Sequence, residues 1–151
     1  LDLNDVFLVP TPELSPESAE SEMFGFDLGR RLAHMSARPT ALVAWDERLA
    51  SRFILGFISE GGRVPQDLSV MTYNNSLYAA TASMPMTAVG VAPKIYADAT
   101  LALMREGFQA YDKKEAYHKQ LMLKPRLSPR QSTGAVPLNI CIPGRHDVTK
   151  S

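Results

Sequence analysis

The stretch GGRVPQDLSVMTYNN, residues 61–75, contains the pattern that decides the fold. Gly61 and Gly62 close a preceding helix, because a residue in the left-handed conformation ends a helix and glycine adopts that conformation most easily. The apolar run LSVMTY (68–73) predicts a buried strand after the proline-containing turn. Asn74 and Asn75 place two amides directly after that strand. The stretch is therefore typical of a helix–turn–strand unit.

Upstream, the uninterrupted apolar run TALVAW (40–45) predicts a second strand, which this pattern indicates to be covered on both faces. Asp46 follows it as the N-cap of a helix. That helix has the clearest amphipathic period of the chain. Its apolar face consists of Leu49, Ala50, Phe53, Ile54, Phe57 and Ile58.

The outer segments continue the alternation of strands and helices. Strands are predicted over 5–9 and 86–91, and helices from the SPES sequence (15–18) to Met35 and over 94–108. Gly25 and Gly29 are predicted to let the first of these helices approach the sheet closely. A late strand over 119–127 contains Pro125, which favours an edge position. This order predicts an α/β fold with a mostly parallel sheet flanked by helices.

Composition excludes several classes of function. Sixteen basic and sixteen acidic residues cancel in the 151-residue chain, so no overall charge draws it to nucleic acid or an anionic membrane. No apolar stretch approaches the roughly 20 residues that cross a bilayer. Cys141 is the only cysteine, and His34, His118 and His146 lack metal-ligand spacing. No G-x-S-x-G, P-loop or dinucleotide-binding motif occurs either, so we expect no metal, no cofactor, no catalytic residues and no enzyme activity.

Ligands of open parallel sheets bind outside the carboxyl ends of the strands, and two predicted strands end in suitable groups. Trp45 and Asp46 follow the first, and Tyr73 and Asn74 end the second. An aromatic face with amides suits a neutral polar small molecule. From the residues alone, Asp46 is equally explained as a helix cap and Asn74 with Asn75 as a turn.

The motifs of this region resemble those of the lactose/galactose repressor family of bacterial transcription regulators, whose fold is similar to that of periplasmic sugar-binding proteins. The resemblance runs through RPTALVAWDERLASRFILGFISEGGRVPQDLSVMTYNN (38–75), MPMTAVGVAPKIYADATLALM (84–104) and LKPRLSPRQSTG (123–134). It covers residues 1–134 and leaves 135–151 as a tail. The resemblance implies an incomplete C-terminal subdomain of a type I periplasmic-binding-protein-like effector domain.

The resemblance also implies roles for single residues. Asn74 stands where the family has an aspartate that contacts the effector, and Trp45 stands where it has an asparagine. Both departures put the usual sugar preference in question. In the family, the helix that begins after Asp46 contributes to the dimer interface, which implies Arg48, Leu49 and Arg52 as dimer contacts.

Further expectations concern the parts that the resemblance places elsewhere. The helix over 94–108 belongs to the other subdomain in the family. A DNA-binding helix-turn-helix, the first subdomain and the opening units of the second precede Leu1 in the family. We therefore expect a shortened form of a cytoplasmic, homodimeric regulator that binds a sugar-like effector and contacts operator DNA only through the missing N-terminal domain.

Two alternatives remain open at the level of sequence. A solute-binding protein of a sugar transport system has the same fold and would capture a sugar without contacting DNA. A member of the family that binds no small molecule and only dimerises is consistent with Trp45 and Asn74. The effector, the operator and the sign of regulation are not specified by these residues.

Overall fold

The computed structural model describes residues 19–136 of the 151-residue chain. Four helices and four strands alternate along it: α1 (Ala19–Ala33), β1 (Ala41–Ala44), α2 (Glu47–Ser59), β2 (Ser69–Tyr73), α3 (Leu77–Thr81), β3 (Thr87–Gly90), α4 (Pro93–Asp112) and β4 (Arg126–Ser128). The strand predicted over 5–9, the helix start at 15–18 and most of the tail at 135–151 lie outside the described residues.

The strands form one sheet in the order β1-β2-β3-β4. β1 and β2 are parallel with Ala44 opposite Thr72, and β2 and β3 are parallel with Thr72 opposite Ala88. β4 pairs antiparallel with β3 at the edge. The predicted mostly parallel α/β architecture is therefore confirmed.

Helix α2 supplies most of the core against the sheet. Its predicted apolar face is buried at Ala50, Phe53, Ile54 and Phe57, where it meets Leu68 and Val70.

The predicted glycine stop at the end of α2 is also present. The Gly62 N–H donates to the Phe57 carbonyl at 3.1 Å, and the Gly61 N–H donates to the Ile58 carbonyl at 2.9 Å. Gly61 has φ +85°, so this end is a Schellman motif in which glycine avoids backbone strain.

The turn between α2 and β2 is held by one carboxylate. Asp67 accepts hydrogen bonds from the Arg63 backbone N–H, from Nε at 2.9 Å and from Nη2 at 2.8 Å. The Arg63 guanidinium holds the pKa of the Asp67 carboxyl below its ordinary value. This planar two-point pairing fixes the direction in which the chain enters β2.

A buried serine near the end of the described chain joins β2 to β3. The Ser132 hydroxyl donates to the Val70 carbonyl at 2.6 Å and accepts from the Thr87 N–H at 2.8 Å. The Val70 N–H in turn donates to the Ser132 carbonyl at 2.7 Å. The segment that contains Ser132 therefore satisfies backbone groups where both strands begin.

Helix α1 packs on α2 and not on the sheet, so the predicted role of Gly25 and Gly29 is corrected. A Cβ on Gly29 would lie 2.1 Å from the Phe53 carbonyl oxygen, and a Cβ on Gly56 would lie 2.0 Å from that of Phe26. The glycines thus allow two helix backbones to touch. The pattern showed a close approach but not which element is approached.

The prediction that β1 is covered on both faces is wrong for the described chain. Leu42 and Ala44 face the core, whereas Val43 is 68% exposed. β1 is an edge strand of this sheet, and α2 covers only one of its sides. An apolar run alone does not show whether a second layer is present.

Two other boundaries differ from prediction. The late strand occupies Arg126–Ser128 and not residues 119–127, because β3 offers it only the three partners Ala88, Val89 and Gly90. Its edge position agrees with the prediction. The short helix α3, capped by the Ser76 hydroxyl at the Tyr78 N–H, was not predicted.

Helix α4 extends beyond the predicted 94–108 and packs on neither the sheet nor another described helix to a substantial extent. It contacts the segment that follows it, where the Tyr117 hydroxyl donates to the Leu103 carbonyl at 3.2 Å. Large apolar side chains remain exposed along the helix: Ile95, Tyr96, Leu101, Met104, Phe108 and Tyr111. That α4 belongs to a second subdomain stays a prediction.

We expect Gly29→Ala to lower the free energy of unfolding by about 1 kcal/mol, and by up to about 2 kcal/mol if the two helix backbones cannot move apart. Forcing a methyl group into close packing costs about 1–3 kcal/mol, and the gain in helix propensity of about 1 kcal/mol offsets only part of this. Gly107→Ala is the matched control, since its Cβ would meet only the Tyr117 ring at 3.5 Å. Denaturant unfolding measures both variants, and equal stabilities would contradict the close contact between α1 and α2.

Ser132→Ala is expected to destabilise the chain by about 1–3 kcal/mol, because the buried Thr87 N–H loses its acceptor. Ser83→Ala, at an exposed position, is the control and is expected to change the stability by less than about 0.5 kcal/mol. Thermal and urea unfolding of the two variants test the difference. A Ser132→Ala protein as stable as the control would show that this link is dispensable.

Candidate functional site

Two aromatic rings stack at the carboxyl end of the parallel strands. The centroids of Trp45 and Tyr73 are 5.8 Å apart, and their planes differ by 9°. The pairing of Ala44 with Thr72 brings them together, since each ring belongs to the next residue along its strand. Trp45 is 72% exposed and Tyr73 is 45% exposed. The pair therefore presents flat aromatic surface to solvent at the edge where α/β sheets bind ligands.

Asp46 acts as a helix cap. Its Oδ1 accepts from the Arg48 N–H and the Leu49 N–H, both at 2.9 Å. One carboxylate oxygen therefore accepts hydrogen bonds from two backbone N–H groups in the first turn of α2. The other oxygen makes no hydrogen bond within residues 19–136. Asp46 directly follows Trp45 of the aromatic pair in the sequence.

Asn74 and Asn75 turn the chain sharply after β2, with φ of 87° and 53°. Asparagine tolerates this left-handed conformation better than most residues. The Asn74 backbone fits closely against β3, since a Cβ on Gly90 would lie 2.4 Å from the Asn74 carbonyl oxygen. The Asn74 side chain is exposed and makes no hydrogen bond within residues 19–136, so its amide is free to donate and accept.

Asn75, in contrast, is used inside the protein. Its Oδ1 accepts from Arg130 Nη2 at 2.7 Å, and its Nδ2 donates to the Ser128 hydroxyl at 3.0 Å. Arg130 also donates to the Met86 carbonyl at 2.6 Å. The turn after β2 is thus joined to β4 and to the start of β3.

Glu47 and Ser76 form a contact that was not predicted from the sequence. The Ser76 N–H donates to Glu47 Oε1 at 2.8 Å, and its hydroxyl donates to Oε2. Glu47 is only 7% exposed. These residues lie just beyond Trp45 and Tyr73, so the contact joins the loops that carry the two rings. An acidic residue at a helix start gives no sequence signal for such a partner 29 residues away.

The Trp45–Tyr73 stack is too weak to order these loops alone. An aromatic pair contributes about 0.5–1.5 kcal/mol beyond its buried area. Fixing the backbone of one residue costs about 1–2 kcal/mol in conformational entropy. The hydrogen bonds of Asp46, Glu47 and Asn75 therefore hold the loops on which the rings stand.

A model of the periplasmic binding protein-like domain matches residues 4–133 of the sequence. The chain belongs to this family. Its match to the family agrees with the resemblance in the motifs around residues 38–75, 84–104 and 123–134. No curated protein matches the sequence significantly.

Solved structures of LacI-family transcription regulators are similar to this periplasmic binding protein-like chain. A Lactobacillus casei regulator with bound sucrose is 27% identical, with a TM-score of 0.59 over 74% of this chain and 40% of that one. A Bifidobacterium animalis regulator is 24% identical, with a TM-score of 0.62 over 77% and 41%. The chain thus spans about two-fifths of the length of the regulators that it matches.

The lac repressor dimer bound to operator and to the anti-inducer ONPF supports the fold alone, because its identity is 19%. Its TM-score is 0.60 over 75% of this chain and 38% of that one. The resemblance to the lactose/galactose repressor family is confirmed by the family model and the 27% identical regulator, whereas the structures under 25% identity support the fold.

The residues predicted at a dimer interface lie at the start of α2 in this periplasmic binding protein-like chain. Arg52 forms an ion pair with Glu22 of α1, and Leu49 packs beside Gly25. Arg48 is exposed. Leu49 and Arg52 therefore make contacts with α1, and the role of all three residues in dimerisation stays a prediction.

An open groove of about 590 Å³ lies between α4 and the segment after it. Leu103, Met104, Phe108, Tyr111 and Tyr117 line it. It is remote in sequence from the aromatic pair and has few polar groups. Within residues 19–136 no cluster of side chains fits a metal ion, and no helix is long and apolar enough to cross a membrane.

We expect Asp46→Ala to lower the free energy of unfolding by about 1 kcal/mol, because the cap of α2 is lost. Asp46→Asn is the matched control, since asparagine caps helices about as well without the charge. Urea unfolding compares the two variants. A large loss with Asp46→Asn would contradict the cap and would show that the charge stabilises the fold by another route.

Proposed function

We propose that the chain is the effector-sensing part of a DNA-binding transcription regulator and that it binds a sugar-like small molecule at the carboxyl edge of its sheet. The exposed Trp45–Tyr73 stack beside the free amide of Asn74 carries this proposal. A regulator of similar structure holds sucrose, which supports a sugar-like ligand. The chemistry requires binding only, so no enzyme activity is proposed.

In this proposal the residues have separate tasks. Trp45 stacks on an apolar face of the ligand, and Tyr73 supports the indole from its other side. The amide of Asn74 pairs with hydroxyls as both donor and acceptor. Asp46 accepts a ligand hydroxyl with the carboxylate oxygen that the helix cap does not use.

The rest of the regulator completes the mechanism that we propose. A second subdomain contributes the facing wall of the site, and the ligand shifts the equilibrium between open and closed arrangements of the two subdomains. The exposed apolar side of α4 suits the helix for packing against that subdomain. Operator DNA is bound by a separate N-terminal domain, and the regulator acts in the cytoplasm. It is a homodimer with contacts near Arg48, Leu49 and Arg52.

Trp45→Ala and Tyr73→Ala are each expected to weaken sucrose or glucose binding about tenfold, because the stacking surface is lost. Saturation-transfer NMR with millimolar sugar measures binding without the tryptophan signal. Tyr111→Ala, which removes an exposed ring from α4, is the control. If the folded wild-type chain binds neither sugar, the proposal that this chain holds the sugar at its own sheet is wrong; if both aromatic variants bind normally, the site is wrong.

A further inference from the structure

Glu47 is a buried carboxylate that is not needed to cap its own helix. It is the first residue of α2, yet Asp46 already caps this helix at Arg48 and Leu49. Both oxygens of Glu47 are directed to Ser76, a residue of another loop. A carboxylate removed from water must gain strong hydrogen bonds, so this contact is specific and not incidental.

We infer that Glu47 is a positioning residue that sets the orientation of the Trp45–Tyr73 pair by joining the two loops behind it. Trp45 lies two residues before Glu47, and Tyr73 lies three residues before Ser76. The parallel pairing of β1 and β2 ends at Ala44 and Thr72. Beyond these residues the pairing of β1 with β2 supplies no further hydrogen bonds. The contact between Glu47 and Ser76 joins the two segments that follow these strands.

The contact between Glu47 and Ser76 also connects to α3 through hydrogen bonds. The Ser76 hydroxyl accepts from the Tyr78 N–H at 3.0 Å while it donates to Glu47. The three groups form a chain of hydrogen bonds from the first turn of α3 to the first turn of α2. Moving α3 therefore moves Ser76, and through Glu47 it moves the start of the loop that carries Trp45.

The inference rests on the proposed function in one respect, because the aromatic pair is the surface that we propose for the ligand. It adds that the angle between the two rings is set from inside the protein. A ligand that stacks on Trp45 then binds a preorganised surface and does not have to order it, which favours affinity.

The test uses the near-ultraviolet circular dichroism of the 151-residue chain, in which Trp45 is the only tryptophan. Tyr73→Ala defines the signal that depends on the stacked pair. Glu47→Ala is expected to remove at least half of that signal at a temperature where the far-ultraviolet spectrum shows the chain folded. A change of stability alone would leave the signal intact at this temperature.

Glu22→Ala is the matched control, since it removes the α1 carboxylate that pairs with Arg52 of α2, and no hydrogen bond within residues 19–136 joins Glu22 to either loop. It is expected to retain nearly all of the signal. If Glu47→Ala does not fold, Ser76→Ala serves in its place, because it removes the hydroxyl from the contact and leaves the core side chains unchanged. It is expected to give a partial loss of the signal.

The inference is overturned if the folded Glu47→Ala and Ser76→Ala chains keep the full signal, or if Glu22→Ala loses as much as Glu47→Ala. These outcomes do not depend on any ligand. Sucrose titration of the wild-type chain tests the proposed function separately: a chain that binds no sucrose but loses its signal with Glu47→Ala retains the positioning role and loses the ligand.

Discussion

The parallel pairing of β1, β2 and β3 is the constraint on which the candidate site depends. Parallel strands require crossovers, so β1, β2 and β3 all leave the sheet at the same end. This brings together Trp45 and Tyr73, which are 28 positions apart in the chain, as well as Glu47 and Ser76. Ser132 secures the opposite edge, where it satisfies Val70 and Thr87. Hydrogen bonds of Ser132 therefore hold the end where β2 and β3 begin, and the opposite end carries the site that we propose.

Much of this arrangement was predictable because its signals are local. The apolar period of α2, the cap at Asp46 and the stop at Gly61 each follow from interactions within one or two turns of a helix. The order of strands and helices then restricts the topology to a mostly parallel sheet with few alternatives. The position of Trp45 at a strand end follows from that topology, although its role as a ligand contact stays a prediction.

The features that were missed depend on contacts distant in sequence. Gly29 signals close packing, but its partner is the backbone of Phe53 in a helix and not the sheet. Val43 belongs to a run that suits a strand covered on both sides, and only the packed structure shows which side α2 covers. The pair Glu47 and Ser76 has no pattern of its own, because a glutamate at a helix start has several ordinary explanations.

Asn74 and Trp45 are the two residues of the candidate site that depart from the motif of the resembled family. Asn74 stands where the motif of the resembled family has an aspartate, so in the proposed site hydrogen bonds to a ligand would lose the charge that makes such bonds roughly twice as strong. Trp45 replaces an asparagine and adds an aromatic face, which Tyr73 supports by stacking. Recognition at this edge would then depend less on charged hydrogen bonds and more on the shape of a flat ligand surface. Such a surface would be effective only when its rings are held in place, which is the role that we infer for the buried carboxylate of Glu47.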